Sequence, residues 1–313
     1  MWAARIPLNS YDWTIDPCIE NLTLLEQLCP EIPAPHLKGC PPEGINLIGQ
    51  SYLLLDWIKG CPLTWTPTTP GPEQRKVLLD ALAKCLLNLW TSPVLHHGVD
   101  TILEMNMGKD YQTASSWPTA KLDQGLAHNL SHQNESNIIN TLIQLSLVPQ
   151  YIDSRFETAP FVLSHDDLWS ANIIVNDNYE LHGLIDWDLA EIMPLQFAVR
   201  TPHSLANTPG YYPIVEDDPF CGDRKYFVET FGQQERTKWG THYVTDLLKT
   251  CDDRRLFVAS LLIPESTQDF WTRHCPWTED TLREASVELD QFVQRHPQYS
   301  GRTRITRARS SIL

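Results

Sequence analysis

The segment Ser164-His-Asp-Asp-Leu-Trp-Ser-Ala-Asn-Ile-Ile-Val175 gathers the residue types that handle protons and cations, and Gly183-Leu-Ile-Asp-Trp187 follows after one turn. Together they read H-x-D-L-x-x-x-N-I-x-V and then G-x-I-D-W, with His165, Asp167, Asn172 and Asp186 as the polar members. Phosphoryl transfer calls for such a set, because the protein must position a hydroxyl and neutralise phosphate charge rather than supply covalent chemistry. One carboxylate accepts or orients the hydroxyl proton. A second carboxylate and a neutral amide oxygen suit Mg²⁺, a hard cation that keeps several waters and needs few protein ligands. No G-x-S-x-G elbow surrounds Ser164 or Ser170, which argues against a hydrolase triad. The pair His96-His97 has no third ligand at useful spacing, and the cysteines form no C-x-x-C pair, so zinc is not indicated.

These side chains need strands and turns to aim them. Phe161 to Leu163, Ile173 to Val175 and Leu181 to Ile185 are short β-prone runs with turns between them. Trp2 to Pro7 reads as a strand. Asp16-Pro17 reads as a helix start, with Ile19, Leu22, Leu25 and Leu28 at helical spacing and Pro30, Pro33 and Pro35 closing it. Ile45 to Ile58 reads as a buried strand pair bounded by Gly49 and Gly60. Thr64 to Pro72 reads as a loop, and a strong helix carries Val77, Leu78, Ala81, Leu82, Cys85, Leu86 and Leu89 before Pro93. Residues 105–135 read as polar and irregular, Ile138 to Val148 as a helix, 201–224 as a long loop, and Glu279 to Val293 as the last clear helix. The stretch Phe220 to Phe231 mixes aromatic and charged residues without a readable role.

Composition narrows the classes. The chain has 313 residues, 42% of them hydrophobic and 11 of them Trp, enough for a large core. Its net charge of −15 argues against a general binder of nucleic acid or anionic membrane and suits a cationic or neutral partner. No run reaches the roughly 18 apolar residues of a membrane span. The N-terminal residues lack a signal-peptide core, so the reading is a cytoplasmic protein with reduced thiols, in which the sequon at Asn21 is coincidental. The tail Gly301 to Leu313 is basic and reads as a disordered end.

The chain resembles the aminoglycoside phosphotransferase and choline kinase-like branch of the protein-kinase fold, and within it the fungal members. Their catalytic segment reads H-G-D-L-x-x-x-N-I-L-V, and their metal motif reads I-D-W where protein kinases have D-F-G. The resemblance runs from about Arg5 to Leu205. It implies Asp167 as catalytic base, Asn172 and Asp186 as Mg²⁺ ligands, and His165 as a brace of the catalytic loop. It implies that Arg5 grips the nucleotide phosphates with Glu20 as its partner, and that the backbone of Leu55, Asp56, Trp57 and Ile58 binds the base of ATP, with GTP left open. Asp166 stands where the family commonly has Gly; it would raise the pKa of the base, attract a cation, or face outward from the loop. Asp188 would cap the next turn or face the substrate.

The implied fold is α+β and protein-kinase-like, with an N-terminal lobe over 1–58, a larger and mainly helical catalytic lobe over 59–300, and the tail 301–313. Only four residues precede Arg5 and the first glycine is Gly39, so the N-terminal lobe reads as truncated and without a phosphate-binding loop. The implied function is ATP-dependent phosphorylation of a hydroxyl on a small molecule. The missing loop keeps alternatives open: a truncated gene product, or a pseudokinase-like binding or regulatory protein. A further alternative is a biosynthetic enzyme that phosphorylates an alcohol to activate it for elimination.

Overall fold

A computed structural model describes residues 1–6, 16–40, 51–92, 113–132, 134–205 and 218–300. In chain order the described elements begin with β1 (Trp2–Arg5), α1 (Asp16–Leu28), β2 (Leu37–Gly39), β3 (Leu53–Asp56), β4 (Cys61–Pro62), α2 (Pro72–Trp90), α3 (Ser116–His132) and α4 (Glu135–Leu147). They continue with β5 (Phe161–Ser164), β6 (Ile173–Val175), β7 (Leu181–Leu184), β8 (Glu191–Pro194) and α5 (Leu195–Ala198). The helices α6 (Cys221–Trp239), α7 (Tyr243–Lys249), α8 (Cys251–Leu262), α9 (Pro264–His274) and α10 (Glu279–Arg295) follow. Two units result, Met1–Asp110 with Pro160–Cys251, and Tyr111–Ala159 with Asp252–Leu313.

In the first unit β3 lies between β1 and β2, antiparallel to both, and Arg5 stands opposite Leu53. The amphipathic α1 buries Cys18, Leu22, Leu24 and Leu25 and stops short of Pro30, where the missing amide would break the ladder. A second sheet runs β4-β6-β7, and β5 pairs with β8 as a ribbon. Gly60 joins β3 to β4 at φ +143°, and a Cβ there would lie 2.4 Å from the Val175 carbonyl oxygen, so only glycine fits. Helix α2 starts at Pro72, with the Gly71 amide donating to the Gln74 side chain at 3.1 Å. It buries Leu78, Leu79, Leu82, Ala83, Leu86 and Leu87. Against it lies α6, with Trp90 and Phe231 in ring contact at 5.6 Å and the Asp80 carboxylate accepting from Tyr226 at 3.1 Å and Thr230 at 2.6 Å.

The stretch from Phe220 that had no readable role is therefore mostly helix α6, and much of its charge lies on the exposed side. Fully buried Phe227 and Phe231 carry the packing face, but too many polar residues intervene for the periodicity to show. The last residues of the expected long loop, from Cys221, are thus helical, while 206–217 lie outside the described residues.

The second unit is helical. Its α3 corrects the reading of 105–135 as irregular: Ser116–His132 form a helix that buries Trp117, Leu122, Leu126 and Leu130. Those apolar residues recur at helical spacing, and burial against neighbouring helices outweighs the weak propensities between them. Asn134 caps α4 by accepting from the Asn137 amide at 3.2 Å. Gln144, wholly buried, donates to Ser260 at 2.7 Å and accepts from Trp271 at 2.6 Å, which satisfies both ends of its amide. Arg295 forks onto Asp123 with two 2.8 Å bonds. Among the described residues no helix is long and apolar enough to cross a membrane, and the eight cysteines are free.

The α2–α6 packing predicts a contrast. Replacing buried Phe231 with Ala should cost about 3–5 kcal/mol in urea unfolding. Val77→Ala, at a position 50% exposed on α2, should change stability by less than about 0.5 kcal/mol.

Candidate active site

The site grows from the β6–β7 hairpin. Register places Ile173 opposite Leu184, and the Ile185 amide donates to the Asn172 carbonyl at 2.9 Å, so Asn172 and Asp186 emerge side by side from the open end. Gly183 lets this hairpin approach the end of the first sheet: a Cβ there would lie 2.4 Å from Ile58 Cδ1 and 3.2 Å from the Pro33 carbonyl oxygen. The Leu184 amide uses that same carbonyl at 2.7 Å.

Strand β5 delivers the loop from the other side. His165 is buried, and its Nε2 lies 2.9 Å from the Ile185 carbonyl. A carbonyl only accepts, so Nε2 carries the proton. The ring also packs on Trp187 at 4.4 Å. The loop then tightens through backbone bonds from Asp167 to His165 at 2.8 Å, from Trp169 to Asp167 at 2.9 Å and from Asn172 to Trp169 at 3.0 Å. The Asn172 amide nitrogen donates to the Asp167 carbonyl at 2.8 Å and to its Oδ2 at 3.0 Å. That leaves the amide oxygen of Asn172 as the end directed elsewhere. The Asp167 carboxyl is shifted upward from its ordinary range, first by burial and then by Asp186, with the Asn172 bond opposing. A base raised in this way holds a proton more readily at neutral pH.

Arg5 closes the group. Its Nη1 donates to Asp186 Oδ1 at 2.9 Å and to Asp188 Oδ1 at 2.5 Å. Asp188 is therefore a partner of Arg5 rather than a cap or a substrate-facing acid. Its carboxyl is raised by burial, against hydrogen bonds from Cys18 and Arg5, and the buried Cys18 thiol is pushed up to about 12, by burial first and then by Asp188. Glu20 sits half-buried on α1. Leu55 and Asp56 lie on β3, with Trp57 and Ile58 just beyond it. The amides of Asp56 and Trp57 donate to the carbonyls of His36 at 3.0 Å and Met1 at 3.2 Å.

Two aspartates, Asp166 and Asp186, have left-handed backbones, at φ +60° and +65°. Asp166 neither faces outward nor appears among the causes that raise Asp167; its carboxylate is buried and paired with Arg200.

Comparison with known proteins adds the name of the group. Residues 2–197 match the phosphotransferase enzyme family (APH). The chain belongs to that family. Clavilactone A biosynthesis cluster protein Y of Ampulloclitocybe clavipes is 27% identical over 214 residues, covering 60% of this chain and 51% of that protein. The chain thus spans about half the length of the curated relative it matches. ADP-bound aminoglycoside phosphotransferase APH(2'')-Ib superposes with a TM-score of 0.52 at 12% identity, over 92% of this chain and 85% of that one. The streptomycin-ATP complex of APH(2'')-IIa gives 0.52 at 11%, over 93% and 84%. Likeness at such identity establishes the fold, which is protein-kinase-like with mixed helix and small sheets.

Within this site the sequence motifs missed three contributors. Asn21 on α1 donates to the carbonyls of Trp187 and Ala190, each at 2.9 Å, and so holds the turn after Asp186. Cys18 and Arg200 are the others. None carries a local signal, because each acts across a long sequence separation. His96-His97 and the basic tail lie outside the described residues.

Burial holds the His165 imidazole down at about 4, against the Ile185 bond and Asp186, from an ordinary 6.5. As pH falls the unfolded chain takes this proton first. The contribution to stability is complete above pH 6.5 and is lost between 6.5 and about 4. That loss amounts to roughly 3 kcal/mol. Denaturant unfolding at about pH 7 and about pH 4.5 should therefore show a smaller acid loss in His165→Gln than in the wild-type chain. Equal losses would exclude a neutral buried His165.

Proposed function

We propose that the chain transfers the γ-phosphoryl group of ATP to a hydroxyl on a small molecule, with GTP as the other possible donor. The observation that carries the reading is the convergence of Asp167, Asn172, Asp186 and Arg5 at one hairpin end. Asp167 takes or orients the acceptor proton, for which its raised carboxyl is suited. Asn172 orients Asp167 through its amide nitrogen. His165 braces the loop and stays neutral. Arg5, with Glu20 as its proposed partner, grips the nucleotide phosphates. The backbone of Leu55 to Ile58 receives the base. With the Asp56 and Trp57 amides engaged, the Ile58 amide and the carbonyls of the segment are the groups proposed for that edge.

Among the described residues no cluster of three or more His, Cys, Asp or Glu side chains is placed to hold a metal. A Mg²⁺ ion would rest on the Asp186 carboxylate and the Asn172 amide oxygen, a sparse hard-oxygen set that fits this cation. When bound, it would neutralise phosphate charge. Arg5 now holds that same Asp186 carboxylate, so it must share or release it when nucleotide arrives.

The acceptor proposed is neutral or cationic, in keeping with the net charge of −15. The relative from a biosynthesis cluster supports an alcohol of secondary metabolism, either as the final product or as a group activated for elimination. The Arg5–Asp186 bridge also favours a second reading, a nucleotide-binding regulatory protein with little turnover.

Millimolar MgATP should raise the melting temperature of the wild-type chain. A ligand at 100 times its Kd adds about 2.7 kcal/mol. Asp186→Ala should lose the shift. Asp167→Asn should keep it while losing about 10²–10⁴-fold in phosphoryl transfer. A wild-type chain with no shift would exclude nucleotide binding, and one that shifts without turnover would favour the regulatory reading.

A further inference from the structure

The charged pair next to Asp167 has no part in the reading above. Asp166 and Arg200 have side chains only 7% and 10% exposed, and they meet directly, Oδ1 to Nη2. Ser164 Oγ donates to the same Oδ1 at 3.2 Å and lies 3.4 Å from the guanidinium. A buried carboxylate without its counter-ion is strongly unfavourable. The cavity alongside, walled by Leu86, Trp90 and Leu168 among others, measures about 30 Å³. Arg200 is the counter-ion that the fold supplies to this carboxylate, and Ser164 adds a hydrogen bond.

The backbone makes this consequential. At φ +60° Asp166 occupies the left-handed region. There a side chain with a Cβ is strained, glycine is not, and Asp or Asn is tolerated when a local bond compensates. The next residue is Asp167, whose amide donates to the His165 carbonyl at 2.8 Å. The dihedrals at 166 therefore set the direction in which the Asp167 carboxylate leaves the chain. Arg200 follows α5, and α5 follows β8, which pairs along β5 from Phe161↔Pro194 to Ser164↔Glu191. The pair clamps the two chain segments that leave opposite ends of one ribbon.

We propose that the buried Asp166–Arg200 ion pair is a positioning device for Asp167: it holds residue 166 in the left-handed conformation that aims the Asp167 carboxylate, at a position where glycine alone would need no such hold. The proposal rests on the reading of Asp167 as proton acceptor, and its test separates the two.

The decisive comparison is between Asp166→Gly/Arg200→Met and Asp166→Ala/Arg200→Met. Both lack the pair and both charges; they differ in a single Cβ. The readout is conversion of MgATP to ADP with water as acceptor, with kcat and KM for ATP separated. The glycine variant should keep the wild-type kcat. The alanine variant should lose about 100-fold in kcat at unchanged KM, the scale of a small misplacement of a reacting group. Arg200→Met alone should fall in the same direction. Equal kcat in the two double variants would overturn the proposal, as would a loss carried by KM. Should the alanine variant fail to fold, the glycine variant decides alone: wild-type kcat upholds the pair as replaceable by glycine, and a loss overturns it.

Should the wild-type chain turn over no MgATP with water as acceptor, amide hydrogen exchange over Ser164 to Ile173 decides the pair independently of the catalytic reading. Exchange should stay slow in the wild-type chain and the glycine variant and become about tenfold faster in the alanine variant, in line with the left-handed penalty. Uniform exchange across the three would overturn the proposal.

Discussion

The site depends on two backbone carbonyls at the open end of the β6–β7 hairpin. That of Asn172 accepts from the Ile185 amide, and that of Ile185 accepts from His165, both at 2.9 Å. The first bond aligns Asn172 with Asp186. The second ties the loop bearing Asp167 to the strand bearing Asp186. Since His165 is buried, that bond has no competing water. Strand register and loop direction are thereby a single constraint.

Electrostatics explains the company these groups keep. Asp167, Asp186 and Asp188 lie close enough for Asp186 to raise both of the others. Such a gathering of like charge is unfavourable unless cations join it. Arg5 meets Asp186 and Asp188 from β1, and Arg200 meets Asp166. Each arginine comes from a different part of the first unit, so folding of that unit and neutralisation of its acids are coupled. The left-handed backbones at Asp166 and Asp186 store strain at the same place.

Elements with a clean periodic signal were legible from residues alone. Strands β1, β5, β6 and β7 and helices α1, α2, α4 and α10 stand close to where apolar spacing, Pro30 and Asp16-Pro17 put them. The helices α3 and α6 were not, because their buried stripes of Leu122, Leu126 and Leu130, or of Phe227 and Phe231, run through polar sequence. Their helicity comes from the surfaces they cover. Strand β8 was missed for a related reason: Glu191 to Pro194 is too short to announce itself and exists by pairing with β5.

By itself the sequence determined the chemistry on offer: a histidine, an aspartate, an asparagine and a second aspartate in an order and apolar frame that mark the family matched over residues 2–197. Local spacing suffices there, because one loop and one hairpin carry all four. Tertiary structure alone decided which cations meet which acids. Arg5 reaches Asp186 and Asp188, Arg200 reaches Asp166, and Asn21 holds the turn after Asp186. Those partners are distant in sequence, and long-range pairing of charged groups leaves no periodic trace. It is selected by the desolvation that folding imposes on each charge.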